Sequence, residues 1–92
     1  MPIIRFNGDV RDASGAATIL SVTGVDFDFS DTFDGTFSKP LNLPQGDYLV
    51  IVDCLTDGEM DFNIEGNLTT VHPDVPETFD SDKTGNTYDL TV

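Results

Sequence analysis

From Val25 to Ser30 the chain alternates without a break, Val25, Phe27 and Phe29 on one side and Asp26, Asp28 and Ser30 on the other. Successive side chains of an extended backbone point to opposite faces, so this pattern predicts a strand with one face covered and one in water. The same period of two recurs over Met60 to Glu65 and over Thr87 to Val92. Tyr48 to Val52 differs in being apolar on both sides and β-branched through its middle, which predicts a central strand covered on both faces. Thr18 to Val22 reads as a further strand after a small, polar loop over Ala13 to Ala17, where a short helix is the weaker alternative. Asp57-Gly58 favours the two positive φ angles of a type I′ turn, so Tyr48 to Glu65 is expected to be a hairpin.

Other turn signals fall at Asn7-Gly8, Asp34-Gly35, Pro44-Gln45-Gly46, Gly66-Asn67 and Gly85-Asn86. Strands of five to eight residues fit between them, and no segment has helical length and period. His72 to Asn86 carries Pro73, Pro76, Gly85 and several acidic residues, and reads as one long surface loop with at most a brief strand near Phe79. Many short strands joined by tight turns predict an all-β fold, a single antiparallel β-sandwich of about seven strands occupying residues 1–92 as one domain.

Charge narrows the functional classes. Four Lys plus Arg against 17 Asp plus Glu leave a net charge of −13, which repels phosphate backbones and anionic headgroups. Direct nucleic-acid or membrane-surface binding is therefore not expected. With 38% hydrophobic residues and seven Phe plus two Tyr, the chain has more apolar material than a disordered acidic tail. Neither a membrane-length apolar run nor a basic, apolar signal peptide is visible, so the expected location of the sequence as encoded is cytoplasmic. The lone Cys54 cannot close an intrachain disulfide and is expected to be a buried, inert thiol.

Three stretches carry a family likeness: Gly8-Asp9-Val10-Arg11-Asp12-Ala13-Ser14-Gly15, Asp34-Gly35-Thr36-Phe37, and Leu43-Pro44-Gln45-Gly46-Asp47-Tyr48 running into Leu49 to Val52. In order and approximate spacing, over about half the chain, they resemble the carboxypeptidase regulatory-like, or prealbumin-like (transthyretin-like), β-sandwich modules. The resemblance implies a prealbumin-like or immunoglobulin-like sandwich with a structural, adhesive or assembly role, and it carries over no catalytic residue. In the third stretch Pro44 fixes φ at a bend, and Tyr48 can bury its ring while its hydroxyl stays wet.

Candidate chemistry is thin. Asp26, Asp28, Asp31 and Asp34 are the densest carboxylates, and alternate strand positions could share a hard cation such as Ca²⁺. The EF-hand template fails, because Asp31 stands where it needs Gly and Phe37 where it needs Glu, and a solvated strand face is the more ordinary explanation of the cluster. His72, with Asp74 and Ser81 nearby, has no nucleophile motif around it, and one His with one Cys is a poor zinc set. No pair among 17 carboxylates is singled out for acid–base work, so the chain is expected to be non-catalytic and, Ca²⁺ aside, without a cofactor. Asn67-Leu68-Thr69 fits a glycosylation acceptor but lacks a secretory context.

Partner contacts are expected on the long loop, at His72, Asp74, Glu77, Phe79, Asp80 and Asp82. Phe33, Phe37 and Phe79 are candidate exposed anchors, although in a domain without Trp their more ordinary place is the core. Three functions compete. One is docking onto a protein partner, or self-association, within a larger assembly. The second is an acidic inhibitor that mimics nucleic acid in a basic groove. The third is a calcium-dependent adhesive or carbohydrate-binding module. The acidity alone would also serve solubility and protect sheet edges.

Overall fold

A computed structural model describes residues 3–92, which form nine strands and no helix. The strands are β1 (Ile3–Arg11), β2 (Ala16–Gly24), β3 (Phe27–Asp34), β4 (Phe37–Asn42), β5 (Asp47–Thr56), β6 (Glu59–Gly66), β7 (Thr70–His72), β8 (Glu77–Phe79) and β9 (Gly85–Thr91). They pair into a four-stranded sheet, β4-β1-β6-β8, and a five-stranded sheet, β3-β2-β5-β9-β7. Every pairing is antiparallel. The expected sandwich is observed, with nine strands against about seven expected; the three-residue β8 is the brief strand expected near Phe79, and the three-residue β7, before Pro73, was not expected.

Alternation drives the assembly. In β1, Ile4, Phe6 and Gly8 point inward while Ile3, Arg5 and Asp9 face water, and in β5 Tyr48, Val50, Val52 and Cys54 point inward. Phe62 of β6 lies at the middle of the core, its ring centroid 5.6 Å from that of Tyr88 and 6.3 Å from that of Phe79. Each such side chain moved out of water contributes about 1.5–3 kcal/mol before the entropy of ordering it is subtracted. Cys54 is buried among them as expected, and Phe37 and Phe79 are core residues with Phe33 packed against the core.

Only β2 and β3 form a hairpin between consecutive strands; each of the other seven connections passes from one sheet to the other. The expected hairpin over Tyr48 to Glu65 is therefore corrected. β5 pairs with β2 and β9, whereas β6 pairs with β1 and β8, and Asp57-Gly58 is an arch between the layers. Neither residue has a positive φ, so the turn is not type I′. Gly58 is required there for space, because a Cβ on it would stand 2.5 Å from the Arg11 carbonyl oxygen.

Two other expected turns lie inside strands. Gly8 sits within β1, where a Cβ would meet the Phe37 ring, and Gly85 opens β9 against the Val52 carbonyl. Conversely, Val25, expected on a covered strand face, is at the β2–β3 turn and 97% exposed.

Candidate functional site

The two outer faces of the sandwich differ in how far their side chains satisfy one another. On the four-stranded sheet, Arg11 reaches Asp61 at 2.9 Å and Glu59 at 3.5 Å, and Asp61 also accepts the Thr78 hydroxyl at 2.6 Å. Arg5 donates to Ser38 at 3.2 Å, and Ser38 donates to Asn7 at 2.7 Å. The Thr78 hydroxyl, and with it the Arg11 guanidinium, hold the Asp61 carboxyl below its ordinary value against the effect of partial burial. Asp61, through hydrogen bond and charge, raises Arg11 in turn. This face is polar and cross-linked, with Ile3, at the start of β1, its one large exposed aliphatic among the described residues.

The five-stranded sheet presents something else. β5 was expected to be covered on both faces, but in a two-layer fold nothing covers its outer side, where Leu49, Ile51 (43% exposed) and Leu55 (68% exposed) face water. Ile19 of β2 joins them. Register places these side chains in a lattice of rows: Asp28, Thr23, Leu49, Asp89 and His72 across one, Ser30, Ser21, Ile51 and Thr87 across the next. Thr32, Ile19 and Asp53 form the third row, and Asp34, Ala17 and Leu55 the fourth.

The aliphatic group is thus flanked by Asp28, Asp34, Asp47 and Asp89, and Asp53 stands within it on β5, between Ile51 and Leu55 and opposite Ile19. No Lys or Arg lies on this face: Arg5 and Arg11 are in β1, Lys39 is in β4 with its ammonium 5.5 Å over the Phe29 ring, and Lys83 pairs with Glu77. With strands about 4.8 Å apart and residues about 3.3 Å apart, five strands over some eight residues present on the order of 600 Å². The aliphatic group on β2 and β5 takes up only part of that area, and clustered exposed aliphatics rimmed by polar groups mark a candidate interaction surface.

One end of the face sinks into a depression of about 570 Å³ between Thr23 and Val25, Asp47 to Leu49, and Asp89 to Thr91. Its floor depends on Gly24, where a Cβ would come within 2.6 Å of the Tyr48 ring. Tyr48 is fixed there: its hydroxyl donates to the Pro44 carbonyl at 2.5 Å, and Phe27 packs edge-on with ring centroids 5.9 Å apart. The hydroxyl, expected to be wet, instead closes a tyrosine corner of the kind found in β-sandwiches. Burial pushes this phenol up from its ordinary value. Asp47 also accepts the Thr91 hydroxyl at 2.8 Å.

The aspartates expected to share a cation are divided. Asp26 lies in the β2–β3 turn, Asp28 and Asp34 face outward on β3, and Asp31 stands on the opposite face of that strand, across from Leu20. Asp31 accepts the Thr32 amide. Among the described residues no three His, Cys, Asp or Glu side chains are disposed to hold a metal ion.

The expected partner loop is divided too. Phe79 is fully buried, so it is core and not an anchor. Glu77 accepts from Tyr88 and from Asn86 and pairs with Lys83, which fastens the loop to β9. Asp80 accepts the amides of Asp82 and Lys83 at 2.9 and 2.8 Å, shaping its turn, and these hydrogen bonds lower its carboxyl. His72, Asp74 and Asp82 remain exposed, and His72 alone of the six lies on the outward rows, opposite Asp89. Compared with known protein families, curated proteins and solved structures, the chain shows no match.

Proposed function

We propose that the protein is a non-catalytic docking module whose binding surface is the outer face of the five-stranded sheet. The observation that carries this reading is the exposure of Ile19, Leu49, Ile51 and Leu55 together at the middle of a sheet, not singly at its margins. Scattered surface aliphatics need no explanation; a group at the centre of a sheet, in which Ile19 of β2 lies diagonal to both Ile51 and Leu55 of β5 around Asp53, does. The likeness of the Leu43 to Val52 stretch to prealbumin-like modules supports the same role, since such modules act in structure and assembly.

The competing reading, an acidic inhibitor imitating nucleic acid, is favoured by the absence of any cation on this face. It is less well served by the spacing. Asp28 and Asp34 are separated along β3 by Ser30 and Thr32, about 20 Å apart in an extended strand, where a phosphate row would be denser. The aliphatic centre has no role in a purely ionic mimic.

The test is affinity capture from the source lysate with the natural chain and with an Ile51→Lys, Leu55→Lys double variant, at low and high salt. Docking through this face is expected to recover a protein that persists in high salt and is lost with the variant. A partner kept by the variant would overturn the assignment of the face, and one lost to salt alone would favour the mimic.

A further inference from the structure

We infer that the occupant of this face is a protein segment presenting apolar side chains flanked by lysines or arginines, and not a second copy of this chain. This rests on the docking reading above and adds the chemistry of the partner.

Charge decides against self-association. A symmetric pair buries the same patch on both sides. Here it would press carboxylates against carboxylates, in a chain of net charge −13 with no Lys or Arg on the patch to separate them. Like charges brought together at an interface cost several kcal/mol and suppress that partner.

The row geometry says what replaces them. Leu49 sits one strand from Asp89 and two from Asp28, about 5 and 10 Å away. A complementary segment therefore needs an apolar side chain over Leu49 and Ile51, with a cationic side chain on each flank. The depression beside Leu49 suits one of those cations. A lysine or arginine stem can lie along Leu49 and the Tyr48 ring while its head reaches Asp47 or Asp89. Even the whole face, on the order of 600 Å² with only its centre apolar, is below the ~800 Å² per partner of a stable complex, which fits a segment bound reversibly and steered by charge.

The probes are three synthetic peptides of equal length, alternating Lys–Leu, Lys–Ser and Glu–Leu, titrated into the ¹⁵N-labelled chain. Amide shifts are followed at low and high salt, alongside sedimentation of the chain alone. The expected result is that Lys–Leu perturbs Ile19, Leu49, Ile51 and Leu55, binds about ten-fold more tightly than Lys–Ser, and weakens about ten-fold in an Ile51→Thr, Leu55→Thr variant, while Glu–Leu does not bind.

Equal binding of Glu–Leu at this face, or a concentration-dependent dimer dissolved by the same variant, overturns the cationic partner but leaves the face as a docking site. Lys–Ser binding as tightly as Lys–Leu, with shifts spread over both sheets, overturns both. No binding by any peptide overturns the inference about chemistry and leaves the face to be judged by the capture experiment.

Discussion

The Asp57 carboxylate accepts both the backbone amide of Ser14, at 3.0 Å, and its hydroxyl, at 2.5 Å. These residues belong to the β1–β2 and β5–β6 arches, so the contact fastens two sheet-to-sheet passages at one end of the sandwich. The Ser14 hydroxyl first, and its amide second, lower the Asp57 carboxyl from its ordinary value. A depressed folded value contributes stability that is present above the unfolded value of ~3.9 and is lost as pH falls through the folded one. Asp57→Asn is expected to lower the urea midpoint at neutral pH and to converge with the natural chain in acid. Parallel curves at all pH values would show that the charge on Asp57 is immaterial.

Gly58 and Gly15 flank that same contact and should respond oppositely to alanine. A Cβ at Gly58 runs into the main chain of Arg11 and Asp12, which cannot rotate away, whereas at Gly15 nothing lies within 4 Å. Gly58→Ala is expected to destabilise by about 1–3 kcal/mol or more through overpacking. Gly15→Ala is expected to be neutral or to stabilise by up to about 1 kcal/mol by restricting the unfolded chain. Thermal or urea unfolding of the two variants decides this, and similar losses at both would refute the steric account.

What the sequence disclosed follows from which forces are local. Period-two alternation located β6 and β9 because a half-buried strand needs only its own side chains to declare itself. Asp57-Gly58 misled because pairing or divergence of the flanking strands is settled by β1, β2 and β9, far away in the chain. Asn7-Gly8 misled likewise: the glycine answers to the ring of Phe37, its register partner on β4 in the same sheet, and not to a turn. The residues of the candidate face were legible as strand but not as a face. The apolar run Tyr48 to Val52 was legible, but the cover expected on both its faces is absent, because a two-layer sandwich leaves one side of each sheet open, and there Leu49, Ile51 and, beyond the run, Leu55 face water. Ile19 joined them only through the register of β2 on β5.

Phe79 tests the boundary between loop and core. It is completely buried, and its ring lies against Phe62 on a strand of three residues. Phe79→Ala is expected to cost about 3–5 kcal/mol, a large share of the ~5–15 kcal/mol that holds a small domain folded. Asp82→Ala, exposed on the same connection, should stay within about 0.5 kcal/mol. Equal, small effects in chemical denaturation would mean that β8 is not part of the cooperative unit.

The docking face should be separable from the fold. Ile51 and Leu55 face outward, and threonine keeps β-strand preference, so Ile51→Thr with Leu55→Thr is expected to change stability by less than about 1 kcal/mol. Val50→Thr, one residue away and fully buried, should cost about 1–3 kcal/mol by placing a hydroxyl in the core. If the outer pair proves as costly as Val50, these side chains serve folding, and the case for a binding face weakens.

The Tyr88–Glu77 pair should bound stability at both ends of the pH range. Burial opposes ionisation of Glu77, yet Lys83, the Tyr88 hydroxyl and the Asn86 amide together hold its carboxyl below the ordinary value. Burial, and then the Glu77 carboxylate, raise the Tyr88 phenol well above the usual tyrosine range. For Glu77 the contribution is present above the unfolded value of ~4.3 and disappears as pH falls through the folded one. For Tyr88 the folded chain keeps a proton that the unfolded chain releases, so stability declines as pH rises past ~10. Tyr88→Phe is expected to cost about 1–3 kcal/mol at neutral pH, because Glu77 loses a donor, and to remove this phenol's alkaline decline. Glu77→Gln is expected to flatten the acid limb instead. Urea midpoints from pH 3 to 11 separate the two, and an acid limb unchanged in Glu77→Gln would show that other carboxylates set it.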